Sequence, residues 1–472
     1  MSDINASDDT GLNVGWFPLI VVTLAAFIIS IDLSFLNVAI TNLVHDLHTT
    51  YVTIQSIIVV YALVLASLTL LCGELQKVLG RKRTFLIGAG IFGVGNLIAA
   101  LSLNSNMLLL GWSILEGIGG ALMWVSMYTI IIGTYTDKRR AVGLGLSASV
   151  ASLGLVVGPF IGGFLTTFFS WRYAFGLEFI IILIILLFSR SIPSFPATMH
   201  WRDINIVGAI NSALGIFLLV YGLILLNNPD YRLISPFVIL IGAILLIVFY
   251  LNQRSRINKD MHPLVDVRVF QIKSFLLGNI FLFMYGSVIS GIRFVIPVFV
   301  QTVLGYNALT TGYIFVAMAL PMFLVTFTTG EINVRFQPRY IISTGFIICI
   351  IGSIYLISVF SSHPSFLEIL IGIALIGLGV GVIAPHGSNL AFSQISHDKQ
   401  PDASAIRSTN SNLNTSVGTA IFGIILLMGV SNALSVEKLL GGLLNSFYLM
   451  ALLLIFGLIM AQFVKPYNKN KT

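Results

Sequence analysis

Charge is scarce in this chain: Asp, Glu, Lys and Arg make up 9% of its 472 residues, whereas 57% are hydrophobic. That leaves too little polar surface to clothe a soluble globule of this size. Cysteine is nearly absent. Cys72 and Cys349 both fall at or inside apolar runs, so neither a disulfide framework nor a thiolate metal centre is implied. A phosphate-cradling Gly-x-x-x-x-Gly-Lys-Ser/Thr loop is also missing, which argues against direct ATP drive. The seven His lie mostly in loops. His386 alone sits within a long apolar run, where a single imidazole is more often structural than a ligand. Enzymatic chemistry therefore has little to stand on, and no metal or cofactor is implied. Met1–Gly15 carries Asp3, Asp8 and Asp9 but no basic residue. It lacks the basic start of a cleaved signal, so the first apolar run is expected to remain as a helix.

What the chain does have is a series of about fourteen apolar runs, from Trp16–Ile40 to Leu443–Val464, each long enough to cross a bilayer as a helix. None alternates with the two-residue period of a barrel strand. Sorting the connecting segments alternately places 21 of the 25 Lys and Arg in one set and only Arg172, Arg232 and Lys438 in the other, with Arg293 left inside a span. Only an even number of crossings gives this split, so both termini are expected in the cytoplasm of a multi-pass cell-membrane protein. The net charge of +7 then belongs to the cytoplasmic rim and not to a nucleic-acid surface. The Asp46 and His363 loops should face outside, and the Arg81 hairpin inside.

Repeated punctuation suggests two halves. Gly73-Glu74 after the second run and Gly330-Glu331 after the tenth both open basic hairpins. If they are equivalent, the chain divides into a cytoplasmic tail (1–15), a six-helix bundle (16–192) and two additional membrane helices (204–251). A basic cytoplasmic link (252–274), a second six-helix bundle (275–464) and a tail (465–472) complete it. Duplicated halves place substrate and ion sites near the bilayer midplane between them.

Four ionisable residues lie inside spans, Asp32, Glu116, Glu178 and Arg293. Each costs about 2.5–3.5 kcal/mol at a helix centre on insertion scales and marks a functional position by default. Asp32 is the leading proton carrier, against a purely structural role. Glu116 is a second titrating acid, against a structural hydrogen bond. Arg293 and Glu178 are expected as charge partners in the same cluster, with Glu178 close enough to the outer end to reach water and Arg293 alternatively in contact with an anionic substrate. Trp124, Met127, Tyr128, Tyr285 and Phe294, with Phe283 and Met284, are placed near mid-span and could line a substrate cavity, although such stripes are usually packing. Asn37, Asn389, Asn410 and Asn414 read equally well as hydrogen-bonding glue between helices. Gly154, Gly158 and Gly162 recur every four residues on one helix face, beside Pro159 and Gly163. Such a face admits close backbone approach and could act as a hinge or seal between the halves.

These residues resemble the major facilitator superfamily, and within it the fourteen-helix branch of drug–proton antiporters. Asp32 with Asn37-Val38-Ala39 is similar to that branch's first-helix motif. Gly154-Leu155-Val156-Val157-Gly158-Pro159-Phe160-Ile161-Gly162-Gly163 matches the Gly-x-x-x-Gly-Pro-x-x-Gly-Gly signature of exporters. Gly73, Gly80, Arg81 and Lys82 are similar to the superfamily's loop between helices two and three, and Pro297, Gln301, Gly305 and Tyr306 to the branch's ninth-helix end. Three positions depart from the pattern. Lys77 replaces an expected Asp, Ser113 replaces an Arg that the family is held to use in proton relay, and Glu116, before Gly117, replaces the Gln of a Gln-Gly pair. The resemblance implies an all-α fold of two six-helix bundles plus two inserted helices. It implies a proton-driven exporter of lipophilic or cationic compounds, working by alternating access, monomeric in the bilayer and without a cofactor beyond the proton gradient. A transporter of a defined metabolite or lipid, or a non-transporting sensor or assembly factor on the same fold, is the alternative.

Overall fold

The computed structural model describes residues 15–201, 205–226, 231–259, 261–335, 337–360, 364–396, 399–428 and 436–464. His363, Arg202, His397, the amino-terminal tail through residue 14 and the tail from Lys465 lie outside them.

Among the described residues there is no strand, and fourteen long helices account for the fold. They are α1 (Phe17–Val38), α2 (Tyr51–Leu79), α3 (Arg81–Ala100), α4 (Ser105–Thr134), α5 (Asp137–Phe168), α6 (Arg172–Leu187) and α7 (Ile206–Leu225). The remainder are α8 (Ser235–Asn258), α9 (Lys273–Thr302), α10 (Ala308–Arg335), α11 (Pro338–Phe360), α12 (Phe366–Phe392), α13 (Gln400–Leu427) and α14 (Val436–Ala461). Twelve are long and apolar enough to cross a membrane. The other two are α6, only 16 residues long, and α13, whose first turns carry Asp402, Arg407, Asn410 and Asn414. Arg407, counted above with the linkers, is thus a helical residue; its side chain is exposed.

The halves meet along α2 against α13 and along α5 against α10. The added helix α7 packs on α2 and α13, and α8 packs on α7. Only 11% of the α8 span is buried, the mark of a helix presented to lipid. α8 also runs past the apolar stretch to Asn258, so residues 252–258, expected in a link, are helical. Gln253 explains the extension: it is fully buried, its Oε1 accepts from Leu264 N at 2.7 Å, and Asn205 Nδ2 reaches it at 3.2 Å. The link beyond is tied down by Asp266, which accepts from Arg268 and lies 3.6 Å from Lys399 Nζ. Burial would lift the Asp266 carboxyl, but the Arg268 hydrogen bonds and the charges of Arg268 and Lys399 hold it below the usual carboxylate range.

At the end rich in Lys and Arg, Gly80 has φ +87°, and a Cβ there would stand 2.6 Å from Phe195 O. Only glycine accepts that conformation without strain. The turn aims Arg81 at Thr129 O (2.9 Å) and over the Phe195 ring, and Lys82 at Ile192 O (2.7 Å). Lys77, standing where the family has an acid, pairs with Glu74, and its carbonyl accepts from Thr198 N at 2.7 Å. A Cβ added at Gly73 would meet nothing within 4 Å. At the opposite end, Arg172, one of the few cations there, lies 3.6 Å from Asp46 and stacks on Trp171.

Candidate substrate and proton site

Three of the four charged residues inside spans come together. Asp32 on α1, Glu116 on α4 and Glu178 on α6 are all buried, and one carboxylate oxygen from each lies within 4.8 Å of the others. Glu116 is brought there by a π-helical stretch, Leu109–Glu116, within α4. Such bulges recur at functional sites because they re-aim a side chain without ending the helix. Gly95 and Gly111 let α3 and this stretch touch: a Cβ on Gly95 would stand 2.6 Å from Glu116 Cγ. Trp112, in the same stretch, donates its indole N–H to Asp32 Oδ1 at 2.6 Å and stacks on Tyr61 at 4.9 Å between centroids. Ser113, at the position of the family's Arg, donates to Ile57 O at 2.8 Å and so pins α4 to α2. Both oxygens of Glu116 and both of Glu178 have no hydrogen-bond partner, and the Tyr61 hydroxyl approaches Asp32 and lies in the field of all three acids. Three like charges this close would repel strongly in apolar surroundings.

Two expectations about this cluster change. Glu178 does not reach water; at 1% exposure it is enclosed by the helices that pack on α6. Arg293 does not pair with the acids. The ion pairs of the described residues involve Asp46, Glu74 and Asp266, and Arg293 is not an electrostatic neighbour of Asp32, Glu116 or Glu178. Helix depth alone suggested the pairing, but azimuth decides contact, and α9 turns Arg293 toward a small cavity between the halves. Tyr61, Trp112, Asn37, Thr415 and Thr419 share that cavity. Trp112 therefore touches the carboxyl cluster with its N–H and the cavity with its ring.

The mid-span aromatic and Met residues do not line this cavity. Met127 and Phe294 are fully buried in packing clusters. Trp124 packs edge-on against Tyr128, while Tyr128 and Tyr285, one from each half, share Arg407 as an electrostatic neighbour. Tyr61 and Trp112 were missed because a hydrophobic run hides which face of its helix turns inward. His386 hydrogen-bonds Val382 O at 2.7 Å. Asn410 and Asn414 donate to α9 at Asn279 O and Leu282 O, the glue expected of them. Cys72 and Cys349 are free and buried.

The glycine stripe on α5 also sits differently. A Cβ on Gly154 would stand 2.8 Å from Phe27 O and one on Gly162 2.8 Å from Phe35, both on α1, and one on Gly158 would run into Ser34, so this face packs within its own half. It is Gly163 and Pro159 that touch the other half. A Cβ on Gly163 would meet Ala308 O at 2.6 Å, and one on Gly312 of α10 would meet Pro159 O at 2.7 Å. Around this crossing, Leu309 N donates to Thr167 Oγ1 (3.1 Å), Gln301 Nε2 to Val38 O (2.7 Å) and Gln55 Nε2 to Thr419 O (3.1 Å), and Tyr51 Oη meets Thr302 Oγ1 (3.2 Å). These bonds between the halves all lie at the end poor in Lys and Arg.

Comparison with known proteins agrees with this architecture. The profile of the Major Facilitator Superfamily matches residues 22–198, 193–419 and 280–471. The chain is 28% identical over 417 residues to the multidrug efflux pump LfrA of Mycolicibacterium smegmatis, covering 87% of this chain and 80% of that one. It is 24% identical over 449 residues to the lincomycin resistance protein LmrB of Listeria monocytogenes, covering 93% of each. It is 22% identical over 408 residues to the riboflavin transporter RibZ of Clostridioides difficile, covering 86% of this chain and 87% of that one. With these matches spanning both helical halves and the pair between them, the chain belongs to the major facilitator superfamily, as a multi-pass membrane transporter.

Proposed function

We propose that this protein is a proton-coupled exporter of small lipophilic compounds across the cell membrane, working by alternating access with both termini in the cytoplasm. The observation that carries the reading is Trp112, whose N–H is held by Asp32 and whose ring faces the cavity shared by the two halves. Protonation of Asp32 weakens that hydrogen bond, frees the indole and alters the cavity wall, so proton and substrate act on one side chain. Export against a proton gradient requires such linkage between two sites. Glu116 and Glu178 complete the relay, holding protons that Asp32 gives up or receives. The bonds at the sparsely charged end seal the outer face, and opening there breaks the Gln301, Thr167 and Tyr51 contacts while the Gly163–Ala308 and Gly312–Pro159 crossings act as the pivot. The efflux relatives support the direction. The cationic part of the expected substrate range finds no support in the cavity, whose charged lining residue is Arg293.

Everted membrane vesicles with an imposed pH gradient test this: addition of a transported compound should dissipate the gradient, and Asp32→Asn should abolish the effect. A second reading, exchange against Na⁺, is favoured by the spacing of the three carboxylates, which suits a hard cation as well as protons. Flux driven by a Na⁺ gradient at fixed pH would establish it instead.

A further inference from the structure

One face of α13 carries a polar stripe. Ser404, Arg407, Ser408, Ser411 and Thr415 recur at three- and four-residue intervals and so share one side of the helix. Thr415, the innermost, lines the small cavity between the halves, beside Leu33 and Asn37 of α1. The stripe therefore faces the other half and not lipid. The remaining faces of α13 are taken: Asn410 and Asn414 bond to α9, and Leu413 and Val417 pack with Val59 and Leu63 of α2 and Ile216 of α7. Yet Ser404, Arg407 and Ser411 are exposed. Exposed side chains on an inward face mean open space in front of them. Because the Gln301 and Tyr51 bonds between the halves lie at the opposite end, that space opens at the end rich in Lys and Arg.

Arg407 brings charge into this space. It stands two turns beyond Gln400, the start of α13, about 10 Å deep at 1.5 Å per residue. Rim cations ordinarily reach outward to headgroups, but Arg407 is an electrostatic neighbour of Tyr128 on α4 and Tyr285 on α9, one from each half. Among the described residues it has no ion pair. The acid of its own helix, Asp402, accepts instead from Asp266 N at 3.2 Å. Tyr128 packs edge-on against Trp124, one turn away on the same helix face. Trp124, Tyr128 and Tyr285 are all half-buried, so unlike Tyr61 and Trp112 they leave ring surface uncovered. A cation with no acid opposite, in a cleft with apolar walls, concentrates anions. The rings beside it can take an apolar body out of water.

We propose that Arg407 decides which charge this transporter accepts: it holds the anionic head of an amphiphilic substrate while Trp124, Tyr128 and Tyr285 take the apolar body. The inference rests on the reading of the protein as an exporter of lipophilic compounds, and it narrows their class to amphiphilic anions.

Calorimetric titration of the full-length protein in lipid nanodiscs, with empty nanodiscs subtracted, tests it with octanoate, octanamide and octylammonium. At a pH of about 7.5 the acid and the amine are both charged. In the wild type, octanoate should bind about fivefold tighter than octanamide, and octylammonium weakest. Arg407→Gln should bring octanoate and octanamide to parity, Arg407→Lys should keep the order, and Trp124→Leu should weaken all three without changing it. Separately, Ser411→Cys in everted vesicles should react with a membrane-impermeant maleimide, and octanoate should slow that reaction. Should the Gln variant fail to fold, the wild-type order, the Lys variant and the protection of Ser411→Cys carry the test. The proposal is overturned by a wild type without a preference for octanoate, by a preference that survives Arg407→Gln, by unchanged affinities in Trp124→Leu, or by a Ser411→Cys thiol that octanoate does not protect. A wild type that shows this binding order but dissipates no pH gradient would instead sink only the proton-coupling reading, so the two failures are distinguishable.

Discussion

The indole N–H of Trp112 stands 2.6 Å from Asp32 Oδ1, while the same ring stacks on Tyr61 and borders the cavity between the halves. One side chain therefore belongs to two environments, a dry cluster of acids and the small cavity between the halves. The relationship turns the proposed coupling into measurements.

Asp32→Asn keeps an acceptor for the Trp112 N–H but removes the titrating group. The variant should express normally and bind substrate, yet fail to accumulate it when a pH gradient is imposed in everted vesicles. Full uphill transport by a well-expressed Asp32→Asn protein would move the proton-carrying role to Glu116.

Glu116 and Glu178 have carboxylate oxygens without partners, so the acids themselves burden the fold. Glu116→Gln and Glu178→Gln introduce amides that can donate to a neighbouring carboxylate. Each should leave the thermal midpoint unchanged or raise it, while reducing pH-driven flux. A clear drop in the midpoint, read by scanning fluorimetry, would show that the acids have stabilising contacts.

The two kinds of glycine on α5 should fail differently. Gly158→Leu would drive a side chain into Ser34 inside one half, costing about 1–3 kcal/mol of stability and lowering expression. Gly163→Leu meets α10 across the interface. It should leave the protein folded but unable to close its outer end, so that flux is lost while the melting curve is retained. Identical behaviour of the two variants would dissolve the distinction between packing within a half and packing between halves.

Asp266 offers a test outside the membrane. Its folded carboxyl titrates below its unfolded value, so its contribution is present above about pH 4 and is lost only as the pH falls through the folded value. Tryptic cleavage of the link at Arg268 and Lys273 should therefore be slow and insensitive to pH near neutrality. Asp266→Asn should accelerate it there, because the Arg268 and Lys399 contacts lose their charge partner.

Orientation can be read with a membrane-impermeant thiol reagent. Cys72 and Cys349 are buried and should stay silent in intact cells. A Cys at His45, which is exposed, should label from outside, and one at exposed Arg83 only after permeabilisation. Labelling of position 83 in intact cells would reverse the proposed topology.

The sequence by itself determined that the chain is a bundle of membrane helices, because uncharged runs of this length admit no other backbone solution in lipid. It also marked Asp32, Glu116, Glu178 and Arg293, since charge inside a span is costly wherever it points. Tertiary structure decided which of them meet. A residue's depth follows from counting along its helix, but its direction depends on how the helix is rotated against its neighbours, and helices that are apolar all round leave that rotation unwritten. So three acids converge through a π-helical turn in α4, Arg293 turns instead to the cavity, and Gly154, Gly158 and Gly162 seat α1 while Pro159 and Gly163 beside them reach α10. Tyr61 and Trp112, ordinary members of hydrophobic runs in the sequence, become the wall between acids and cavity only when both halves are in place.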